Sequence, residues 1–395
     1  MRKIINRVLT VLLILTITVI GGGTIAKNAK SLAYAGLVTY TTYQTGEGLF
    51  ENIKARIKAL TTALNVSLIG KDAFEKANAK LQLSLGKQML NFGGTTMVKL
   101  KTGQLYDVQA DTDVHDDVAR MKALHDKLSA QGIPMVFAYA HSELYEDDLL
   151  PSGVEDFNNK VADDIVTGLR AEGIDTIDSR EVVRDAGLTL DEAVYRTDQH
   201  WSILTAFDVY AQAVKRLNAT GKIALDERAA DRENFHMEVL PGAHMGDVGA
   251  RIGAELVAPD DFQLITPAFD TKIHQKIMTA SGFQERDGSF EAAVMNCEML
   301  EGDGAKNRYD AYGHHTEVVY YTNETAPAGR LLIVKDSFGT PISSFMSLAV
   351  RDVCAIDLRK GRTTIEEAVA QFKPDAVLIV HCQEMMRGKN YVFVD

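Results

Sequence analysis

Leu331-Leu332-Ile333-Val334-Lys335-Asp336-Ser337-Phe338-Gly339 begins with four consecutive apolar residues and ends in a polar turn. An apolar run this short, bounded by turn residues, reads as a strand buried on both faces. The same pattern recurs on either side. Downstream, residues 341–348 read as a helical turn region, 353–357 as a strand, 364–372 as a helix and 376–380 as a strand. Upstream, residues 133–140 and 174–178 are compact apolar strands. They alternate with helical spacing over 114–130 (Val118, Met121, Leu124, Leu128) and over 154–171, each followed by a glycine stop at Gly132 and Gly173. Residues 203–217 form a further amphipathic helix. Apolar strands separated by helices imply an α/β fold whose central parallel sheet is covered on both faces. In such sheets ligands bind beyond the carboxyl ends of the strands, and Ser337 stands just past one.

The remaining segments read differently. Residues 97–106 form a hairpin turning at Lys101-Thr102-Gly103. Residues 220–330, rich in Gly, Asp and Asn, read as an insertion or a β-rich lid, with one clear strand at 317–322. Residues 31–90 look like a helical stalk or linker, with Leu49, Phe50, Ile53, Ile57, Leu60 and Leu64 at helical spacing. The principal domain is expected over 91–395. At the N-terminus, Arg2, Lys3 and Arg7 precede 19 uncharged residues from Val8 to Ala26. That length and flank suit a membrane anchor or a signal peptide (residues 1–30) that delivers the body outside the cytoplasm. A cut after Ala35, in Ala33-Tyr34-Ala35, is the alternative to retention.

The chain of 395 residues has an ordinary globular composition, 46% hydrophobic and 24% charged. Five of its 42 basic residues and none of its 54 acidic ones lie in the first thirty positions, so the body is more acidic than the net charge of −12 indicates. An acidic body disfavours nucleic acid as a partner, because phosphate binding needs a basic face. Cys297, Cys354 and Cys382 are too few for a disulfide framework. Cys354 and Cys382, in or beside apolar runs, read as buried thiols.

The chemistry points to two distant motifs, Thr197-Asp198-Gln199-His200-Trp201 and Lys335-Asp336-Ser337-Phe338-Gly339. A serine hydroxyl needs a base beside it, and the base needs a third group to fix its tautomer. Ser337, His200 and Asp198 are those three types. Each also has a plain structural reading: Ser337 as a helix N-cap, Asp198 as the cap of the next helix, His200 packed on Trp201. Gly339 permits close backbone approach, and amides near Phe338 and Gly339 are candidate oxyanion donors. Trp201 reads either as a pocket wall that stacks on a sugar or as core. Arg359 reads either as a substrate contact or as the partner of Asp357. His244 and Asp247 read as part of a substrate loop. The pair His314-His315 points apart and has no third ligand, so neither a metal site nor a cofactor is expected.

Together, Tyr195-Arg196-Thr197-Asp198-Gln199-His200-Trp201-Ser202 with Ala206 and Tyr210, the later Lys335-Asp336-Ser337-Phe338-Gly339, and Ile356-Asp357-Leu358-Arg359 resemble the DHHW protein family of Gram-positive bacteria. That family is similar to the SGNH-hydrolase-like proteins of alginate acetylation. The resemblance runs over roughly residues 90–395. It implies a flavodoxin-like α/β sandwich, with Ser337 as nucleophile, His200 as base, Asp198 as its orienter and Arg359 in a substrate or structural role. It further implies extracytoplasmic O-acetylation of a cell-surface polysaccharide or exopolysaccharide, with a membrane-bound acyltransferase as the partner supplying acetyl groups. The chain departs from the family pattern at Gln199, where the family has His, and at Lys335, where the usual serine motif has Gly. Two rival readings stay open: an acetyl esterase with the same triad, and a non-catalytic polysaccharide-binding or assembly protein. The catalytic reading fails if Ser337 lies far from His200 or if the Asp-x-His motif faces the core.

Overall fold

A computed structural model describes residues 10–11, 14–15, 18–27, 68–87, 89–92, 95–141, 149–253, 256–279, 282–302, 305–313, 316–359 and 363–383. The chain divides into two units, residues 1–85 and 86–395. In the first, residues 18–27 are helical and helix α1 spans Lys71–Ser84. No helix among the described residues is long and apolar enough to cross a membrane. The expected cleavage site at Ala35 and the helical spacing between Leu49 and Leu64 lie outside the described residues.

The second unit begins with a three-stranded antiparallel sheet. Strand β1 (Met89–Phe92) pairs with β2 (Thr95–Lys99), and β2 with β3 (Leu105–Asp107) across the expected hairpin. Then α2 (His115–Ala130), β4 (Met135–Tyr139), α3 (Asn158–Ala171) and β5 (Asp175–Asp178) alternate as the sequence predicts. Two short helices follow that periodicity does not announce, α4 (Ser179–Ala186) and α5 (Leu190–Ala193), before the long α6 (Ile203–Ala219).

The region expected as an insertion is β-rich, but much of it belongs to the main sheet. Strands β6 (Phe235–His244) and β7 (Asp260–Pro267) flank the short α7 (Asp247–Ile252) and form a separate ribbon. Strands β8 (Ile273–Thr279), β9 (Gly282–Gly288) and β10 (Val318–Thr322) extend the main sheet. The chain ends its described course with β11 (Arg330–Lys335), α8 (Gly339–Ala349), β12 (Asp352–Ile356), α9 (Ile365–Phe372) and β13 (Ala376–His381).

The main sheet has the order β5-β4-β13-β11-β12-β10-β8-β9. Its first five strands are parallel, whereas β10, β8 and β9 add on antiparallel. The sheet is therefore mixed, not purely parallel as expected. The difference is physical: buried apolar runs reveal strands, but not which neighbour each takes or in which direction.

Strand alternation builds two cores. Leu331 and Ile333 of β11, with Leu378 and Val380 of β13, pack with Ala206, Phe207, Tyr210 and Val214 of α6 and with Ile342 and Phe345 of α8. Leu332, Val334, Val377 and Ile379 point the other way. They meet Met121, Leu124 and Leu128 of α2, Val161, Ile165 and Leu169 of α3, and Ile365 and Val369 of α9. Each fully buried aliphatic side chain contributes about 1.5–3 kcal/mol. β11, buried on both faces between the parallel strands β13 and β12, is consequently a rigid support for the turn that follows it.

Candidate active site

That turn is held from beneath by Asp336. Its carboxylate accepts hydrogen bonds from the Phe338 amide and from the Cys382 amide, both at 2.8 Å, and so ties the end of β11 to the end of β13. The Asp336 amide donates to Val380 O at 3.2 Å. A Cβ at Gly339 would come within 2.6 Å of Lys335 Cβ and 3.0 Å of Val380 Cβ, so only glycine lets α8 start this close to the sheet. Between Leu331 and Thr340 every residue is buried except Ser337, which is half-buried. The turn thus offers one hydroxyl to solvent.

The Asp198–His200 segment is fixed by Asp260. Asp260 accepts from the Arg196 amide at 3.0 Å, the Thr197 amide at 2.9 Å and the Thr197 hydroxyl at 2.5 Å. The first turn of α7 closes over the segment, where the Gly246 amide donates to Thr197 Oγ1 and the Gly249 amide to Thr197 O. Downstream, Ser202 and not Asp198 caps α6, accepting from the Thr205 amide at 3.1 Å. Asp198 is therefore free for another task.

These two supports bring the predicted residues together. The Ser337 hydroxyl lies 2.8 Å from His200 Nε2, and His200 Nδ1 lies 2.9 Å from Asp198 Oδ1. A carboxylate beside Nδ1 requires a proton there, which leaves the Nε2 lone pair to accept from Ser337. Burial works against the His200 cation, but the charge and hydrogen bond of Asp198, with the charges of Asp336 and Asp247, outweigh it and raise the His200 pKa. Burial would likewise raise Asp198. The charge and hydrogen bond of His200, reinforced by His244, overcome that effect and hold Asp198 well below the usual carboxylate range. Asp198 is thus an anion across the physiological range, and His200 is a strengthened base.

Two residues that the sequence did not single out for these places complete the site. Tyr309 stacks on His200, with ring centroids 4.3 Å apart and planes 15° from parallel. Its hydroxyl donates to Ser337 O and Phe338 O at 3.3 and 3.2 Å. His244, expected in a substrate loop, is instead fully buried behind Asp198, with Nε2 3.3 Å from Asp198 Oδ2. Neither residue carries a sequence signal beyond its type, because each reaches the site from the irregular 220–330 region.

Other predicted site residues fall differently. Trp201 is only 1% exposed and packs edge-on against Phe338, so it is core and no sugar can stack on it. Phe338 is also buried, its ring 4.8 Å from that of His200, and its amide is already bonded to Asp336. That amide cannot serve an oxyanion. Gly339 is the first residue of α8, where helix amides lack intrahelical partners. Arg359 makes two side-chain hydrogen bonds to Asp357, at 2.8 and 2.6 Å, the pairing expected of the structural alternative. Cys297, Cys354 and Cys382 are free thiols, the last two buried, and burial pushes Cys354 up to about 12. His314-His315 lies outside the described residues. Among those described, no three His, Cys, Asp or Glu residues are grouped to hold a metal ion.

Comparison with known proteins agrees with this architecture. Residues 101–268 match the family model of the SGNH hydrolase-like domain of the acetyltransferase AlgX, a span that includes Asp198, His200 and His244 but stops before Ser337. No curated protein matches the chain in sequence. Among solved structures, PatB1 of Bacillus cereus is 16% identical, with a TM-score of 0.62 over 76% of this chain and 100% of its own. A DHHW family protein from Eubacterium siraeum is 14% identical, with a TM-score of 0.56 over 77% of this chain and 95% of its own. Residues 101–268 are thus similar to the SGNH hydrolase-like domain of AlgX, and the fold of the chain resembles those of PatB1 and the DHHW family protein.

Proposed function

We propose that the protein is an extracytoplasmic O-acetyltransferase that moves an acetyl group to a polysaccharide hydroxyl through a covalent intermediate on Ser337. The observation that carries this reading is the continuous hydrogen-bonded chain from Ser337 through His200 to Asp198. A wide separation of Ser337 and His200 would have defeated the catalytic reading, and they are 2.8 Å apart. The match of residues 101–268 to an acetyltransferase domain favours acetyl as the group moved.

In the first half-reaction Ser337 Oγ bonds to the acetyl carbon as His200 Nε2 takes the serine proton. The tetrahedral intermediate then expels the donor's oxygen, which leaves with the proton from His200. In the second half, a sugar hydroxyl bonds to the acetyl carbon and gives its proton to His200, which returns it to Ser337 Oγ as the acyl–enzyme bond breaks. With the Phe338 amide occupied, the Ser337 and Gly339 amides are the donors this turn offers the oxyanion. The proposed donor of acetyl groups is a membrane-bound acyltransferase, and the acceptor a cell-surface polysaccharide or exopolysaccharide. Water as acceptor would make the same site an esterase.

The test uses the full chain with p-nitrophenyl acetate, following acetate release and intact mass together, against Ser337→Ala and His200→Ala. An acetyl adduct on the wild type that is absent from Ser337→Ala supports the reading, and transfer to added sugar oligomers separates transferase from esterase. Equal activity in all three folded proteins, without an adduct, overturns it.

A further inference from the structure

Behind the Ser337–His200–Asp198 chain stands a second imidazole. His244 is 0% exposed, at the end of β6, and packs its ring 4.1 Å from that of Tyr195 and 6.0 Å from that of Phe262. Its backbone is fixed by a bridge to Lys306, by the Met245 amide donating to Lys306 O at 3.0 Å, and by the buried Arg308. The Arg308 guanidinium donates to Ala243 O, Met299 O and Leu300 O.

The tautomer of His244 follows from its neighbours. Its Nδ1 accepts the Arg308 amide at 3.2 Å, so Nδ1 carries the lone pair and the ring proton sits on Nε2. Nε2 faces Asp198 Oδ2 at 3.3 Å, outside hydrogen-bond alignment, and neither buried atom has another hydrogen-bond partner. Two unpartnered buried polar atoms facing each other at this distance are each other's remaining satisfaction. Asp198 then has one oxygen committed to His200 and the other to His244.

We propose that His244 is a positioning residue for the catalytic chain: as a neutral imidazole donating from Nε2, it holds Asp198 Oδ2 so that Oδ1 stays charged and aimed at His200 Nδ1. It touches neither the acyl group nor the serine. Its action runs through Asp198, whose burial favours the protonated acid and is opposed first by His200 and then by His244. The charged groups that bear on His200 are Asp198, Asp336 and Asp247, and of these His244 controls the first. The rate consequence rests on the acyl-transfer reading, whereas the effect on His200 does not.

The test follows His200 by NMR titration in the full chain, in the wild type and in His244→Phe, His244→Asn and His244→Gln, alongside kcat and KM. Phe keeps the ring but loses the donor. Asn keeps an acceptor for the Arg308 amide but is too short to reach Asp198. Gln restores a donor at the Nε2 position. In Phe and Asn, loss of the donor leaves the Asp198 carboxylate more basic, so His200 is expected to titrate about one unit or more above wild type. Their kcat should fall about tenfold or more, with KM changed little. Gln should recover most of both. Asn keeps the test open if Phe does not fold. An unshifted His200 in folded Phe or Asn variants, or a Gln variant as impaired as Phe, overturns the proposal. A shifted His200 in a chain that transfers no acetyl group supports the positioning role and overturns the proposed function alone.

Discussion

His200 Nε2 and Ser337 Oγ lie 2.8 Å apart although 137 positions separate them in the chain. The contact is made by two independently braced turns, one clamped by Asp260 and the other by Asp336. A Ser-His-Asp arrangement held from behind in this way would cost little reorganisation if an ester entered it.

The first prediction concerns pH. His200 must be neutral to accept the serine proton, and burial, opposed and outweighed by Asp198, Asp336 and Asp247, leaves its pKa raised. Activity should therefore rise with pH along an acid limb whose midpoint lies above the ordinary imidazole value of about 6.5. Replacing Asp198 with Asn removes the main raising charge. The limb should move to lower pH while kcat falls by about 10³–10⁴. Profiles of kcat/KM between about pH 5 and 9 decide it; a limb below the ordinary value in the wild type contradicts the electrostatics described.

Gly246→Ala tests the clamp over Asp198. A Cβ there would overlap Asp198 Cβ and lie 2.6 Å from both Asp198 Cγ and Thr197 O. Something must shift, and the nearest movable group is the carboxylate. Overpacking of this kind costs about 1–3 kcal/mol, and activity should drop far more than stability. Thermal melting compared with turnover shows the split. Unchanged turnover would mean that Asp198 tolerates displacement.

Asp336→Ala should act chiefly on stability. It leaves the buried Phe338 and Cys382 amides without acceptors, at about 1–3 kcal/mol each. Chemical denaturation should register a loss of several kcal/mol, while Ser337→Ala, at a half-buried position, should lose little. Similar midpoints for the two variants would remove Asp336 from its role as a tie.

Tyr309→Phe separates stacking from hydrogen bonding. The ring on His200 remains, but the hydroxyl bonds to Ser337 O and Phe338 O go. A loss of about 0.5–1.5 kcal/mol is expected, with turnover reduced severalfold. Tyr309→Ala, which also uncovers His200, should be much worse in turnover. If both variants match the wild type in turnover, Tyr309 has no part in holding His200.

What could be read from the chain divides along lines of locality. The strands around Leu331–Val334 and the helices with Val118, Met121, Leu124 and Leu128 were legible because burial on a face imposes a repeat. Ser337, His200 and Asp198 were legible because their types and order carry chemistry. The antiparallel addition of β10, β8 and β9 was not, since pairing depends on partners far along the chain. The place of His244 was misread and Tyr309 was missed for the same reason: only the folded chain shows that one backs Asp198 and the other covers His200. Trp201 and Arg359 take the structural places that the sequence left open beside the functional ones, and the Phe338 amide is committed to Asp336. Proximity in sequence to a reactive residue says nothing of which way a side chain or an amide is already committed.

The strand order has a consequence for a chain made from one end. β13, the last described strand, lies between β4 and β11, and Asp336 reaches across to its Cys382 end. The sheet cannot close, nor the serine turn lock, until residue 382 has left the ribosome or the export channel. Until then His200 and its carboxylate wait without a nucleophile. The three side chains of the site are thus assembled in a single late step of folding.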